Sequence, residues 1–454
     1  MGRAALWYGL ATLVSRGTGF IILPLYGHFL TVSEYGQMGL LSAFGSLLSG
    51  VLLMGLSDTS LRYASRPECG GQVLALSLVV LASLAVLLTP VLLLVSGDLP
   101  GDVLPRWVVL LMLSLIAGTV ITLTQTWARI DNQPLAFALI ALALGTGQLL
   151  WVCLALWLSP GIDGVLLAGV LASVPVALGA IGWHLKRHPL CWRPSEAKAL
   201  LRYGAPLAVS AMLIWVLNGY ERPWIAQLVG LETLAAITLA GQFALVAVLL
   251  CEPFNLWWFA NRFRLLDEED YWRHNLGTLL ALLWLCGALI LTYIAAILLI
   301  PLLFPAPLHE AKQHLPWMLL LAGARQITAT CNVGIYYRPT GDAVLRLNII
   351  WALGALVLIP LTERLDSLIA LMMVLSFGRA VHFHLASQDE VNLRYPWLLG
   401  WPLALTLLML VAQWWGAIDL LGNLMPVWFG LFAVVVLLGV SQARRFREGR
   451  ACQQ

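Results

Sequence analysis

The sequence predicts an all-α polytopic membrane protein of about 14 transmembrane helices, built as two parallel, pseudo-repeated six-helix lobes followed by two C-terminal helices. Three observations carry this prediction. Of 454 residues, 60% are apolar and only 11% charged, where a soluble domain carries about a quarter charged residues and needs them to coat its surface. The apolar residues also come in long runs, and at roughly 32 residues per span and connection the chain accommodates about 14 of them with almost nothing left over. Finally, Lys and Arg segregate into alternate connections. The net charge of +3 excludes both an acidic solvating protein and a strongly basic nucleic-acid binder.

Taken in order, apolar runs long enough to span fall at about 5–29, 38–60, 72–96, 107–128, 135–158, 164–183 and 204–228. They continue at about 233–259, 275–300, 315–337, 343–361, 367–386, 396–415 and 425–443. The first is too long for a signal peptide and lacks a small-residue cleavage site near Leu30, so it is expected to be retained. Pro24, Pro90, Pro175 and Pro360 lie inside runs and read as kinks, which membrane helices tolerate. Tryptophans gather at run ends (Trp107, Trp183, Trp257, Trp258 and Trp317 among them) as interfacial anchors.

With the N-terminus in the cytoplasm, both ends lie inside. Of the 26 Lys and Arg, the outer side then receives only Arg106, Lys312 and Arg364, while Arg16, Arg222, Arg325 and Arg379 stand within spans and every other falls on the cytoplasmic side. Acids divide more evenly, as expected when orientation responds to basic residues alone. None of the seven cysteines falls in an outer loop, so neither a disulfide nor a C-x-x-C metal site is expected.

The most basic connection, 184–203, contains Ser195-Glu196-Ala197-Lys198-Ala199-Leu200-Leu201-Arg202 and reads as a capped amphipathic stretch along the inner leaflet. It divides the chain into an N-lobe of six spans (1–190), a C-lobe of six (191–390), and spans thirteen and fourteen with a basic tail (391–454). Because six is even, both lobes start on the same side, so a repeat relating them is parallel. A shift of 199 residues sets Pro24 on Pro223, Phe29 on Leu228 and Leu40 on Leu239.

Charges inside the membrane are the residues that carry function. An Arg at a helix centre costs roughly 2.5–3.5 kcal/mol on insertion scales. Arg16 sits among Ser15, Gly17, Thr18 and Gly19, and Arg325 heads a polar stripe of Gln326, Thr328, Thr330 and Asn332. A guanidinium stays charged and engages two phosphate oxygens at once. Each of the four Arg therefore meets an anion, forms a structural bridge with Asp58, Glu221 or Glu252, the three acids in or at the edge of spans, or snorkels to an interface. Those acids either exchange protons in a transport cycle or stand in fixed ion pairs. Asn218, Asn255 and Gln242 are candidates for sugar hydroxyls, or hold helices together. The run Asp267-Glu268-Glu269-Asp270 reads as a solvated loop, since neighbouring side chains diverge. His382 and His384, two apart, point to different helix faces.

The strings Leu13-Val14-Ser15-Arg16-Gly17-Thr18-Gly19-Phe20, Pro24-Leu25 and Leu30-Thr31-Val32-Ser33-Glu34-Tyr35-Gly36 resemble the opening of the polysaccharide-synthesis flippases. These are the O-antigen-type (Wzx-like) members of the multidrug/oligosaccharidyl-lipid/polysaccharide exporter superfamily. The resemblance continues at Tyr203-Gly204-Ala205-Pro206-Leu207, at Leu302-Leu303-Phe304 and at Glu310-Ala311. It implies a translocase of polyprenyl-pyrophosphate-linked glycan in a bacterial inner membrane, working by alternating access, for O-antigen or exopolysaccharide synthesis. Membrane lipids and other polysaccharide-assembly proteins are its candidate partners. The chain departs from the family at Glu221-Arg222, where an Asp-Arg pair is common.

No Walker A, H-E-x-x-H, G-x-S-x-G or G-x-G-x-x-G motif occurs. No catalytic residue, metal site or cofactor is expected. Two rival readings remain. A membrane polymerase or acyltransferase needs an extended outer loop, whereas 97–106 and 301–314 are short; a cation-coupled drug exporter needs an acid-rich cavity, whereas Arg outnumbers acid here.

Overall fold

The computed structural model describes residues 17–63, 70–98, 101, 103–187, 194–337, 342–391, 393, 401–414, 434, 435 and 437. All regular structure among them is helical. The chain is an all-α polytopic membrane protein, and nine helical runs among the described residues are long and apolar enough to cross a membrane. Packing divides it into two compact units, Met1–Glu232 and Thr233–Gln454.

In the first unit a helix over 17–29 (α1) is followed by α2 (Val32–Leu53), α3 (Leu56–Tyr63), α4 (Gly70–Val95), α5 (Pro105–Ile130), α6 (Pro134–Leu158), α7 (Ile162–Leu185) and α8 (Pro194–Asn218). α9 (Glu221–Asp267) begins in this unit and is interrupted at Gly230, whose φ of 82° no helix contains. α7 packs against both α5 and α6, and α5 also against α2, α3 and α4. Lipid offers no hydrophobic drive between helices, so these contacts rely on close approach of small residues. Gly147 faces Ala172 and Gly169 faces Ser114. Between them Leu48 and Leu52 of α2, Leu81 of α4, Met112 of α5 and Ile162 of α7 form one buried cluster. Val86, Leu87 and Leu94 of α4 and Leu150 and Trp157 of α6 are exposed, as lipid-facing positions are.

The second unit carries the rest of α9, then α10 (Tyr271–Leu303), α11 (Ala311–Thr330), α12 (Val333–Tyr337), α13 (Asp342–Leu358), α14 (Leu365–Glu390) and α15 (Trp401–Trp414). α11 is its axis, buried along most of its length and packed on α10, α14 and α15. The packing order of the first unit recurs: α4 on α5, α5 on α7 and α6 on α7 have counterparts in α10 on α11, α11 on α14 and α13 on α14. α15, within expected span thirteen, docks on α10 and α11, with Cys286 and Thr406 2.9 Å apart.

Several local expectations change. The amphipathic stretch after residue 193 is not a separate surface element; it is the first part of α8, which runs on unbroken to Asn218. Pro90 and Pro175 do lie inside α4 and α7, but Pro360 sits in a short 3-10 turn that ends α13. Expected span two begins six residues early, because Thr31 and Glu34 form a capping box at Val32. Trp258 and Trp317 are fully buried rather than interfacial. Trp107 is buried too, and its indole donates to Asp163 at 2.9 Å, an acid that also pairs with Arg106 at 2.7 Å.

Candidate functional site

Three expected spans are each two helices joined by a break. Span two turns at Met54 and Gly55 (φ 43° and 64°) between α2 and α3. Span seven turns at Gly219 and Tyr220 between α8 and α9, and span ten at Cys331 and Asn332 between α11 and α12. A break frees backbone carbonyls and amides that lipid cannot satisfy, so partners must come from the protein or from a polar cavity. The candidate residues cluster around the last two breaks.

In the first unit, α2 braces the span-seven break from both sides. The Trp215 indole donates to the Ala43 carbonyl at 2.7 Å. After the break, the Arg222 guanidinium donates to the Gly39 carbonyl at 3.3 Å and to the Ser42 hydroxyl at 3.1 Å. Only small residues on α2 allow this approach. The same interface is tight at Gly36, where a Cβ would collide with the Leu231 carbonyl oxygen. Glu221 is buried, 4% exposed, in the first turn of α9, where the partial positive charge of a helix start favours a carboxylate. Asn218 turns back on its own helix, donating to the Ile214 carbonyl at 2.7 Å.

In the second unit the polar stripe of α11 meets α9, and α11 packs on α14, which in turn packs on α13. Asn255 of α9 donates to the Gln326 side chain at 3.2 Å. Arg379 of α14 donates to the buried Asn348 of α13 at 2.9 Å and lies over the Phe383 ring, 5.0 Å from its centre. Arg325, beside Gln326, is close enough for its charge to bear on Arg379. The structure thus gathers Asn255, Arg325 and Arg379 around one helix. Glu252 lies one turn before Asn255 on α9, next to the buried Cys251. Arg16 lies outside the described residues, and of Asp58 only the backbone, in α3, is described.

Arg262 is the residue that sequence reasoning missed. Expected in a cytoplasmic loop, it stands on the extended end of α9, only 6% exposed. Its guanidinium donates to the Ala329 carbonyl at 3.1 Å and to Asn332 Oδ1 at 3.3 Å, with the rings of Phe259 and Phe263 against it. Those flanking aromatics, and the lack of Gly or Pro between Asn255 and Asp267, were the available signal. The adjacent acids take separate partners: Asp270 caps α10 and pairs with Arg273 at 3.3 Å, Glu268 faces Arg264 at 3.9 Å, and Asp267 accepts from Tyr337 at 2.7 Å. His382 and His384 also diverge, His382 meeting the Trp351 indole at 3.3 Å and His384 hydrogen-bonding to the Cys331 backbone.

Residues 1–256 match the polysaccharide biosynthesis protein family. No curated protein matches the sequence. Among solved structures, the lipid II flippase MurJ in an inward closed conformation is similar over 99% of this chain and 100% of its own, at 13% identity and a TM-score of 0.67. An inward-facing multidrug resistance MATE family transporter of the MOP superfamily is similar over 84% of this chain and 94% of its own, at 14% identity and a TM-score of 0.64. A MOP superfamily transporter from Pyrococcus furiosus, described as having a binding pocket of reverse polarity, covers 86% of this chain and 95% of its own, at 13% identity and a TM-score of 0.52. At these identities the likeness is one of fold.

Proposed function

The chain belongs to the polysaccharide biosynthesis protein family, and from that premise we propose that it is a flippase for an anionic, polyprenyl-pyrophosphate-linked oligosaccharide. The observation that carries this reading is Arg379 in the second unit, whose Nε is buried without a hydrogen-bond partner among the described residues and whose guanidinium donates to the Asn348 amide oxygen. A guanidinium with an unused donor in a low-dielectric bundle suits a diphosphate, whose oxygens accept its planar donors. Asn255 and Gln326 suit the hydroxyls of a first sugar, whereas a polyprenyl tail is at home in lipid. Likeness of fold to a lipid II flippase and to MATE family transporters supports transport rather than catalysis. The Arg excess favours an anionic cargo over a cationic drug. We place the protein in a bacterial inner membrane with both termini in the cytoplasm, on the distribution of Lys and Arg, in a pathway that makes O-antigen or exopolysaccharide.

Deletion of the gene tests the reading. Surface polysaccharide should disappear while lipid-linked repeat units still form and accumulate on the cytoplasmic side. Loss of the repeat units themselves would replace a flippase by an enzyme of glycan assembly.

A further inference from the structure

The break between α11 and α12 is stitched by side chains from two other helices. In an unbroken helix the Ala329 carbonyl would receive the Val333 amide, and the Thr330 carbonyl the Gly334 amide. Here the Ala329 carbonyl takes a donor of Arg262 on α9, and the Gly334 amide donates instead to the Ser387 hydroxyl of α14 at 2.6 Å. Asn332, the residue at the break, accepts from the same guanidinium, and the Cys331 backbone is met by His384. Packing alone does not demand the interruption: α5, which holds the corresponding place in the first unit's packing order, runs unbroken from Pro105 to Ile130.

We propose that the Cys331–Asn332 break is a two-state joint, and that Arg262 is the positioning residue that selects its bent state. The other state is a continuous helix over 311–337, in which the Val333 and Gly334 amides return to the Ala329 and Thr330 carbonyls, and the Arg262 donors and the Ser387 hydroxyl acceptor are released. The bent state satisfies the Ala329 carbonyl and the Gly334 amide through side chains, and the straight state satisfies them through the helix ladder while Arg262 keeps the rings of Phe259 and Phe263 against it. Only two packings that differ little in free energy behave as a switch. The segment that moves is consequential, because Tyr337 at its end is tied to Asp267 of α9. The joint therefore couples the end of α9 to α14, the helix that carries Arg379, through Tyr337 and Ser387. Its bearing on transport rests on the flippase reading; its existence does not.

Hydrogen exchange of the purified full-length chain in lipid nanodiscs tests the joint without any cargo. In the double variant Arg262→Met, Ser387→Ala, amides 332–335 should exchange about tenfold more slowly than in the native protein, since they gain ladder bonds. Exchange that is unchanged or faster in a folded double variant would overturn the proposal, because a static break that loses its stitches opens. Asn332→Ala, which keeps the Arg262 bond to the Ala329 carbonyl and the Ser387 contact, removes the Asn332 acceptor and raises helix propensity, supplies the second arm should the double variant not fold. It should also slow exchange over 332–335, and unchanged or faster exchange there would equally overturn the joint. In cells, the double variant should lower surface polysaccharide at normal protein abundance. Slowed exchange with full polysaccharide would leave the joint standing and remove its role in transport, whereas polysaccharide loss without slowed exchange would overturn the joint and assign the loss to Arg262 and Ser387 themselves.

Discussion

At the residue scale, the intramembrane arginines divide by what their donors meet. Arg222 spends its donors on the Gly39 carbonyl and Ser42 hydroxyl of α2, so it holds span seven to α2. Arg379 keeps its Nε without a hydrogen-bond partner and has one amide neighbour, which leaves donors for an anion. Arg222→Ala is accordingly expected to lower stability by about 1–3 kcal/mol, read as reduced thermal stability of purified protein. Arg379→Gln is expected to leave abundance normal while surface polysaccharide falls, read by membrane immunoblot beside glycan staining. The position of these two Arg within apolar runs was legible in the sequence; their different partners were not, because acceptors 180 and 183 residues away for Arg222 and 31 away for Arg379 leave no local pattern. Arg262 shows the converse difficulty. Read beside Asp267 and Glu268 it belongs to a charged loop, and only the continuation of α9 past the apolar run reveals it as buried.

At the element scale, apolar runs located the helices because burial in lipid requires them, but run edges follow hydrophobicity and helix ends follow capping. α2 starts at Val32 because the Thr31 hydroxyl meets the Glu34 amide at 3.3 Å while the Glu34 carboxylate takes the Thr31 amide at 2.8 Å. Thr31→Ala should therefore cost about 1 kcal/mol, detectable as a lower unfolding temperature, with Thr31→Ser close to native. The Thr31-to-Gly36 string that resembled a family opening thus has a physical content: a cap, a buried Tyr35, and a glycine where no Cβ fits against Leu231. The helix breaks were the least legible elements. Gly55 and Gly219 lie within apolar runs that a hydropathy reading bridges, and the turn at Cys331 and Asn332 depends on Arg262 and Ser387, far away in sequence.

At the scale of the whole molecule, composition settled the class before any motif was considered. A charged share of 11% leaves the membrane as the only solvent, and the all-α polytopic fold follows because lipid forces the backbone to satisfy itself. The recurrence of packing order between α4–α7 and α10, α11, α13 and α14 was only faintly legible in residue identities, since lipid-facing positions accept any apolar side chain. The proposal that the few charges remaining inside set what the chain carries has a direct measurement. Purified protein in liposomes, given a fluorescent polyprenyl-pyrophosphate oligosaccharide, should speed its passage between leaflets well above protein-free liposomes, while the uncharged polyprenol glycoside of the same sugar should not be accelerated. Equal rates with and without protein, or equal acceleration of the uncharged lipid, would contradict an Arg-dependent flippase for a diphosphate-bearing lipid.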